Sequence, residues 1–114
     1  MKKVSLSQVK PYAAPKHFNC STLRLQGKDE TGITKFWVGL SYFLPAGGAE
    51  WAYEDNPNEK VYIVLDGEVT VKTKTDEVTL KAMDSLYLPP NEGREVMNKT
   101  NKTATMLVVV NYPQ

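Results

Sequence analysis

The chain has a single cysteine, Cys20, and a single histidine, His17. One thiol cannot close an internal disulfide, and one thiol with one imidazole leaves a Cys/His zinc site or a Cys–His catalytic pair little to draw on. No run reaches the roughly 18 apolar residues that a membrane span requires. Lys2 and Lys3 are followed by no apolar stretch of the kind a secretory signal carries, so the expected location is the cytoplasm, without a membrane partner. An excess of one charge is missing too: 14 Lys and Arg face 13 Asp and Glu, for a net charge of +1. With the two signs interspersed there is no basic stripe, and nucleic acid is not an expected partner.

What is present is an ordinary globular composition, 41% hydrophobic and 24% charged over 114 residues, which fits one domain with one core. Residues 1–20, with Pro11 and Pro15 and little alternation, read as an extended arm, and residues 21–114 as the domain it lies on. From Ser21 onward β-branched and aromatic residues dominate, and strands are expected over 21–26, 33–44, 60–65, 68–73, 77–80, 85–88, 94–98 and 103–111. Asp66-Gly67 reads as a hairpin turn that makes the strands on either side antiparallel neighbours. Further turns are expected at Thr75-Asp76, at Pro45 to Gly48 and at Pro89 to Gly93, and strands so closely punctuated indicate a sandwich or barrel.

Two stretches have a fixed spacing. Gly47 is followed after five residues by Tyr53, Glu54 and Asp55, then after four more by Lys60 and after six more by Gly67; about 20 residues on come Met83, Pro89, Asn91, Arg94 and Asn98. This order resembles the two signature segments of small cupins. There the first segment runs Gly, five residues, His-x-His, three or four residues, Glu, six residues, Gly. The second runs Gly, five residues, Pro-x-Gly, two residues, His, three residues, Asn. The resemblance covers residues 36–111 and implies an all-β fold, a jelly-roll-like cupin barrel of two antiparallel sheets with a pocket opening at one end.

In the family, the two His of the first segment, its Glu and the His of the second commonly hold one divalent metal. Here those places fall on Tyr53, Asp55, Lys60 and Arg94. A protonated Lys or Arg has no lone pair to offer and repels a dication, so no metal and no other cofactor is expected. A sliding alignment leaves open an oxygen-only site of Glu50, Glu54 and Asp55 for a hard ion.

If Lys60 and Arg94 keep the inward direction of the residues they replace, two like charges sit inside the barrel, and something negative must accompany them. Either Glu50, Glu54 or Asp55 neutralises them internally, or a small organic anion, a carboxylate above all, docks on Arg94 and Lys60, with Tyr53, Asp55 and Tyr62 completing the site. Catalysis is left open. An isomerase, lyase or decarboxylase would draw on Glu50, Tyr53 or Asp55 as acid or base in the same pocket. Alternation puts Tyr62 and Val64 on the face of Lys60, and Val96 and Asn98 on that of Arg94, but does not decide between Phe36/Val38/Leu40/Tyr42 and Trp37/Gly39/Ser41/Phe43 as the inner set of the long strand. Small cupins are commonly homodimers, and a dimer is expected here, with the proline-bearing arm covering a sheet edge.

Overall fold

The computed structural model describes residues 1–113. A 3-10 turn over Leu6–Gln8 precedes β1 (Pro11–Tyr12) and β2 (His17–Gln26); the short helix α1 (Lys28–Thr31) leads into β3 (Phe36–Ala52). Then follow β4 (Lys60–Asp66), β5 (Glu68–Lys72), β6 (Glu77–Lys81), β7 (Ser85–Leu88), β8 (Arg94–Met97) and β9 (Ala104–Asn111). The strands form a nearly closed antiparallel barrel in the order β6-β5-β8-β3-β9-β4-β7, with β2 paired to β3 and β1 to β2.

Two-residue alternation decides what faces inward. Along β4, Lys60, Tyr62 and Val64 are buried, and along β8 Arg94 and Val96 are buried, with Asn98 just beyond. Phe43, Val64, Val69, Val71, Leu88, Val96, Ala104 and Met106 pack into one core, each large side chain contributing about 1.5–3 kcal/mol.

The structure corrects three local expectations. β4 and β5 are not neighbours: β4 lies between β9 and β7, and β5 between β6 and β8. Gly67, at φ 79°, joins them as a corner that turns the chain from one side of the barrel to the other. It packs so close to β9 that a Cβ there would stand 2.9 Å from the Ala104 Cα. Second, Pro45 to Gly48 is no turn but a bend inside the 17-residue β3. Ala46 takes φ 64° there, and its N–H is satisfied by the Asn98 carbonyl. Third, β2 begins at His17, so the boundary at residue 20 falls within a strand, and Tyr12 pairs with Thr22 beside it.

In the second signature segment two residues other than glycine have left-handed backbone. Met83 and Asn91 occupy the two glycine places at φ 73° and φ 62°, in the left-handed region that glycine enters without strain. Asn98 is fully buried. Its Nδ2 donates to the carbonyls of Phe43 (2.9 Å) and Lys102 (2.7 Å), and its Oδ1 accepts from the N–H and hydroxyl of Thr100. It thereby ties the turn after β8 to β3.

Candidate functional site

One end of the barrel holds a cavity of about 170 Å³. Its floor is made by core residues, Phe43, Val96 and Met106, and its walls by Lys60 and Tyr62 of β4, Arg94 of β8, Val108 and Val110 of β9, and the β3 set Trp37, Gly39 and Ser41. The question left open for β3 is thus settled in favour of Trp37/Gly39/Ser41/Phe43. The two small residues in the middle of that set make the room. A Cβ at Gly39 would stand 2.8 Å from the Trp37 ring.

Lys60 opens β4 opposite Val110 of β9 and Leu88 of β7, in a register unbroken until Val64. It is 6% exposed and Arg94 3% exposed. Arg94 donates from Nε to the Tyr62 hydroxyl (2.8 Å) and from Nη1 to the Glu50 carbonyl (3.0 Å), so two of the five guanidinium donors have a protein partner among the described residues. The ring of Tyr53, at φ 75°, contacts both cations: the Lys60 Nζ lies 4.2 Å and the Arg94 Cζ 4.7 Å from the ring centroid. Such contacts recover roughly 0.5–2 kcal/mol each, less than a buried charge loses by leaving water. Burial, and secondarily the charge of Arg94, pulls the Lys60 ammonium down to about 8. Burial pushes the Tyr62 phenol up, against the pull of Arg94.

Internal neutralisation of the two cations by Glu50, Glu54 or Asp55 is not what the structure contains. Among the described residues the ion pairs are Lys74–Glu54 and Lys99–Glu77, all exposed. The left-handed Tyr53 sends Glu54 and Asp55 to the outer surface. There Asp55 lines a shallow groove with Lys16 and Trp51, and Glu54 accepts from the Trp51 indole N–H. Glu50 is exposed and reaches the site only through its carbonyl. Of the residues singled out from the sequence, Tyr53, Lys60, Tyr62 and Arg94 therefore come together at the cavity, while the carboxylates of Glu50 and Asp55 do not line it. The oxygen-only cation site does not form either. Among the described residues no three His, Cys, Asp or Glu side chains converge. The groups at the family's ligand places do not fit a dication, since two of them are cationic heads.

The cavity also has residues that the sequence reading did not select. Tyr12, Ala14, Pro15, His17 and Arg24 come from the arm and β2, and Asn56 and Asn58 from the loop before β4. The Arg24 guanidinium lies between Tyr12 and Trp37, with its Cζ 4.6 and 4.8 Å from their centroids, and among the described residues its Nε has no hydrogen-bond partner. His17 stacks on Phe43, Nδ1 against the Pro15 carbonyl, and desolvation lowers its basicity, with Arg94 adding to the effect and that carbonyl opposing it. His17 was hidden because β2 is bulged at Asn19 (φ 47°), which shifts the pairing between Phe18 and Cys20 and reverses the alternation. The signal that was available is Trp-x-Gly-x-Ser-x-Phe at 37–43, large residues flanking small ones on one face of a strand.

Residues 40–110 match the Cupin_2 family model, a cupin domain. Beta-D-galactosidase Rv1717 of Mycobacterium tuberculosis is 42% identical over 113 residues, spanning 99% of this chain and 96% of that protein. Solved structures of the same fold include the polyketide cyclase RemF from Streptomyces resistomycificus (TM-score 0.84, 18% identical, 97% of this chain and 79% of that one). A sugar phosphate isomerase from Silicibacter pomeroyi (TM-score 0.81, 21% identical, 98% and 76%) and a predicted oxalate decarboxylase from Thermotoga maritima (TM-score 0.81, 16% identical, 98% and 100%) share it as well. The chain belongs to the small cupins of the Cupin_2 family. Among the described residues no helix is long and apolar enough to cross a membrane.

Proposed function

We propose that the barrel cavity binds a small organic carboxylate without a metal, with Arg94 as the clamp and Lys60 as a second positive charge. The observation that carries this reading is the buried pair Lys60 and Arg94, directed into a cavity whose lining includes no carboxylate among the described residues. A cation pair so placed is stabilised by an anion, and the unused guanidinium donors suit a carboxylate's two oxygens. The volume of about 170 Å³ is below the roughly 300–1,000 Å³ of pockets for drug-sized ligands and suits a molecule of few atoms. Tyr53 and Tyr62 position the two cations; Asp55 has no part in this site. Calorimetric titration with a series of small carboxylates and their neutral amides tests it. Carboxylates bind and amides do not, and Arg94→Gln weakens binding by about tenfold to a hundredfold; equal binding of amides contradicts the reading.

The extent of identity to a relative named as a β-D-galactosidase favours a second reading, hydrolysis of β-D-galactosides. The Tyr12 and Trp37 rings and the Asn56 and Asn58 amides in the cavity wall suit a sugar. The usual hydrolytic route needs two carboxyl groups about 5–9.5 Å apart across the scissile bond, and here it would have to draw on Glu50, Glu54 or Asp55 from outside the cavity. Release of a chromophore from an aryl β-D-galactoside, lost in Arg94→Gln, would place this reading first. Isomerase, lyase or decarboxylase chemistry is the form catalysis takes under the first reading.

A further inference from the structure

The carboxylate reading treats Lys60 as a charge, yet its nitrogen is placed as a nucleophile. Among the described residues Nζ has no ion pair and no hydrogen-bond partner. It lines the cavity with Arg94, and both contact the Tyr53 ring, at 4.2 and 4.7 Å from its centroid. Lys60 and Arg94 line the same cavity of about 170 Å³, so a small carboxylate held by Arg94 has its remaining carbons within a space that Lys60 also faces. A small carboxylate with an electrophilic carbon in that space is a 2-oxo acid.

Resting on the carboxylate reading, we propose that Lys60 forms an imine with the carbonyl of a 2-oxo acid held by Arg94. The nitrogen lone pair adds to the carbonyl carbon, the C=O π electrons move to oxygen, and a proton from nitrogen neutralises that oxygen to give a carbinolamine. The proton that the ammonium gave up to free its lone pair returns to that hydroxyl, the C–O bond breaks and the oxygen leaves as water, while nitrogen supplies the electrons of the C=N bond. Lysine ammonium and oxo acid thus become iminium and water, with charge conserved and nothing oxidised or reduced. The amine is made available by the two means that activate such lysines, desolvation and a neighbouring cation, and its ammonium is accordingly held down to about 8.

Pyruvate with sodium borohydride, followed by digestion and mass mapping, is the test. Of the 12 lysines, Lys60 is expected to carry the reduced adduct in near-stoichiometric yield. Lactate, which has the carboxylate and no carbonyl, suppresses labelling, and Lys60→Gln and Arg94→Gln lose it. No adduct, or one spread over the exposed lysines, overturns the proposal. If calorimetry then still finds pyruvate and lactate bound, the imine alone has failed; if neither binds, the carboxylate reading has failed with it.

Discussion

Arg94 gives its Nε–H to the hydroxyl of Tyr62 at 2.8 Å, inside the barrel, 32 residues away in sequence and from the other side of the sheet order. Both residues are 3% exposed, so the bond is largely shielded from bulk water. Tyr62→Phe keeps the ring and leaves a buried charged donor without a partner. The expected loss is about 1–3 kcal/mol of unfolding free energy in urea, with weaker carboxylate binding because the guanidinium is no longer fixed. A variant as stable as wild type would mean that the guanidinium does not depend on this bond.

Lys60 makes the fold sensitive to pH in a defined direction. Its folded value of about 8 lies below the ordinary 10.5, so between these limits the unfolded chain binds more protons, and stability rises with pH across that window. Below pH 8 both states are protonated and the buried charge costs the fold in full. Lys60→Met is expected to be more stable than wild type at neutral pH by about 1–3 kcal/mol, with the advantage shrinking toward pH 10. Comparing the two proteins isolates Lys60 from Tyr12 and Tyr62, whose raised values act in the opposite sense. An advantage that does not change with pH would contradict the assignment.

Met83 holds a left-handed backbone at φ 73° with its side chain largely in solvent. Met83→Gly relieves the strain and loses almost no packing, and the expected gain is about 0.5–1 kcal/mol in thermal or urea unfolding. Destabilisation by the glycine would show that Met83 makes contacts in solution that offset its backbone.

Asn98 is the counterpart among buried polar groups. Two carbonyls and two Thr100 donors rely on its amide. Asn98→Leu is expected to lose about 2–4 kcal/mol and to loosen the turn that joins β8 to β9, read by faster amide hydrogen exchange at 99–103.

The barrel was legible because alternation and motif spacing both survive the loss of the second segment's glycines and of the family's histidines. Lys60, Tyr62 and Val64 face inward as alternation requires, and so do Arg94, Val96 and Asn98. What failed were places where one residue resets direction. Gly67 looks like a hairpin turn but serves as a corner, because only the packing of β9 against it reveals that β5 belongs to the other side. Tyr53 at φ 75° separates its own ring from the neighbouring carboxylates, and the bulge at Asn19 brings His17 inward. Bulges and left-handed residues are set by tertiary contacts, so local patterns do not announce them. Arg24 was missed for another reason: its place between Tyr12 and Trp37 joins three strands, a relationship that no spacing along the chain encodes.

The most direct measurement for the cation-lined site is elemental analysis and native mass spectrometry on one preparation of the untagged protein, repeated for Arg94→Gln. The account predicts no stoichiometric transition metal in either protein and a small organic anion that copurifies with, or can be added back to, wild type and is lost from the variant. A stoichiometric divalent metal whose removal abolishes ligand binding would contradict it, because Lys60 and Arg94 could not then both face the cavity as cations.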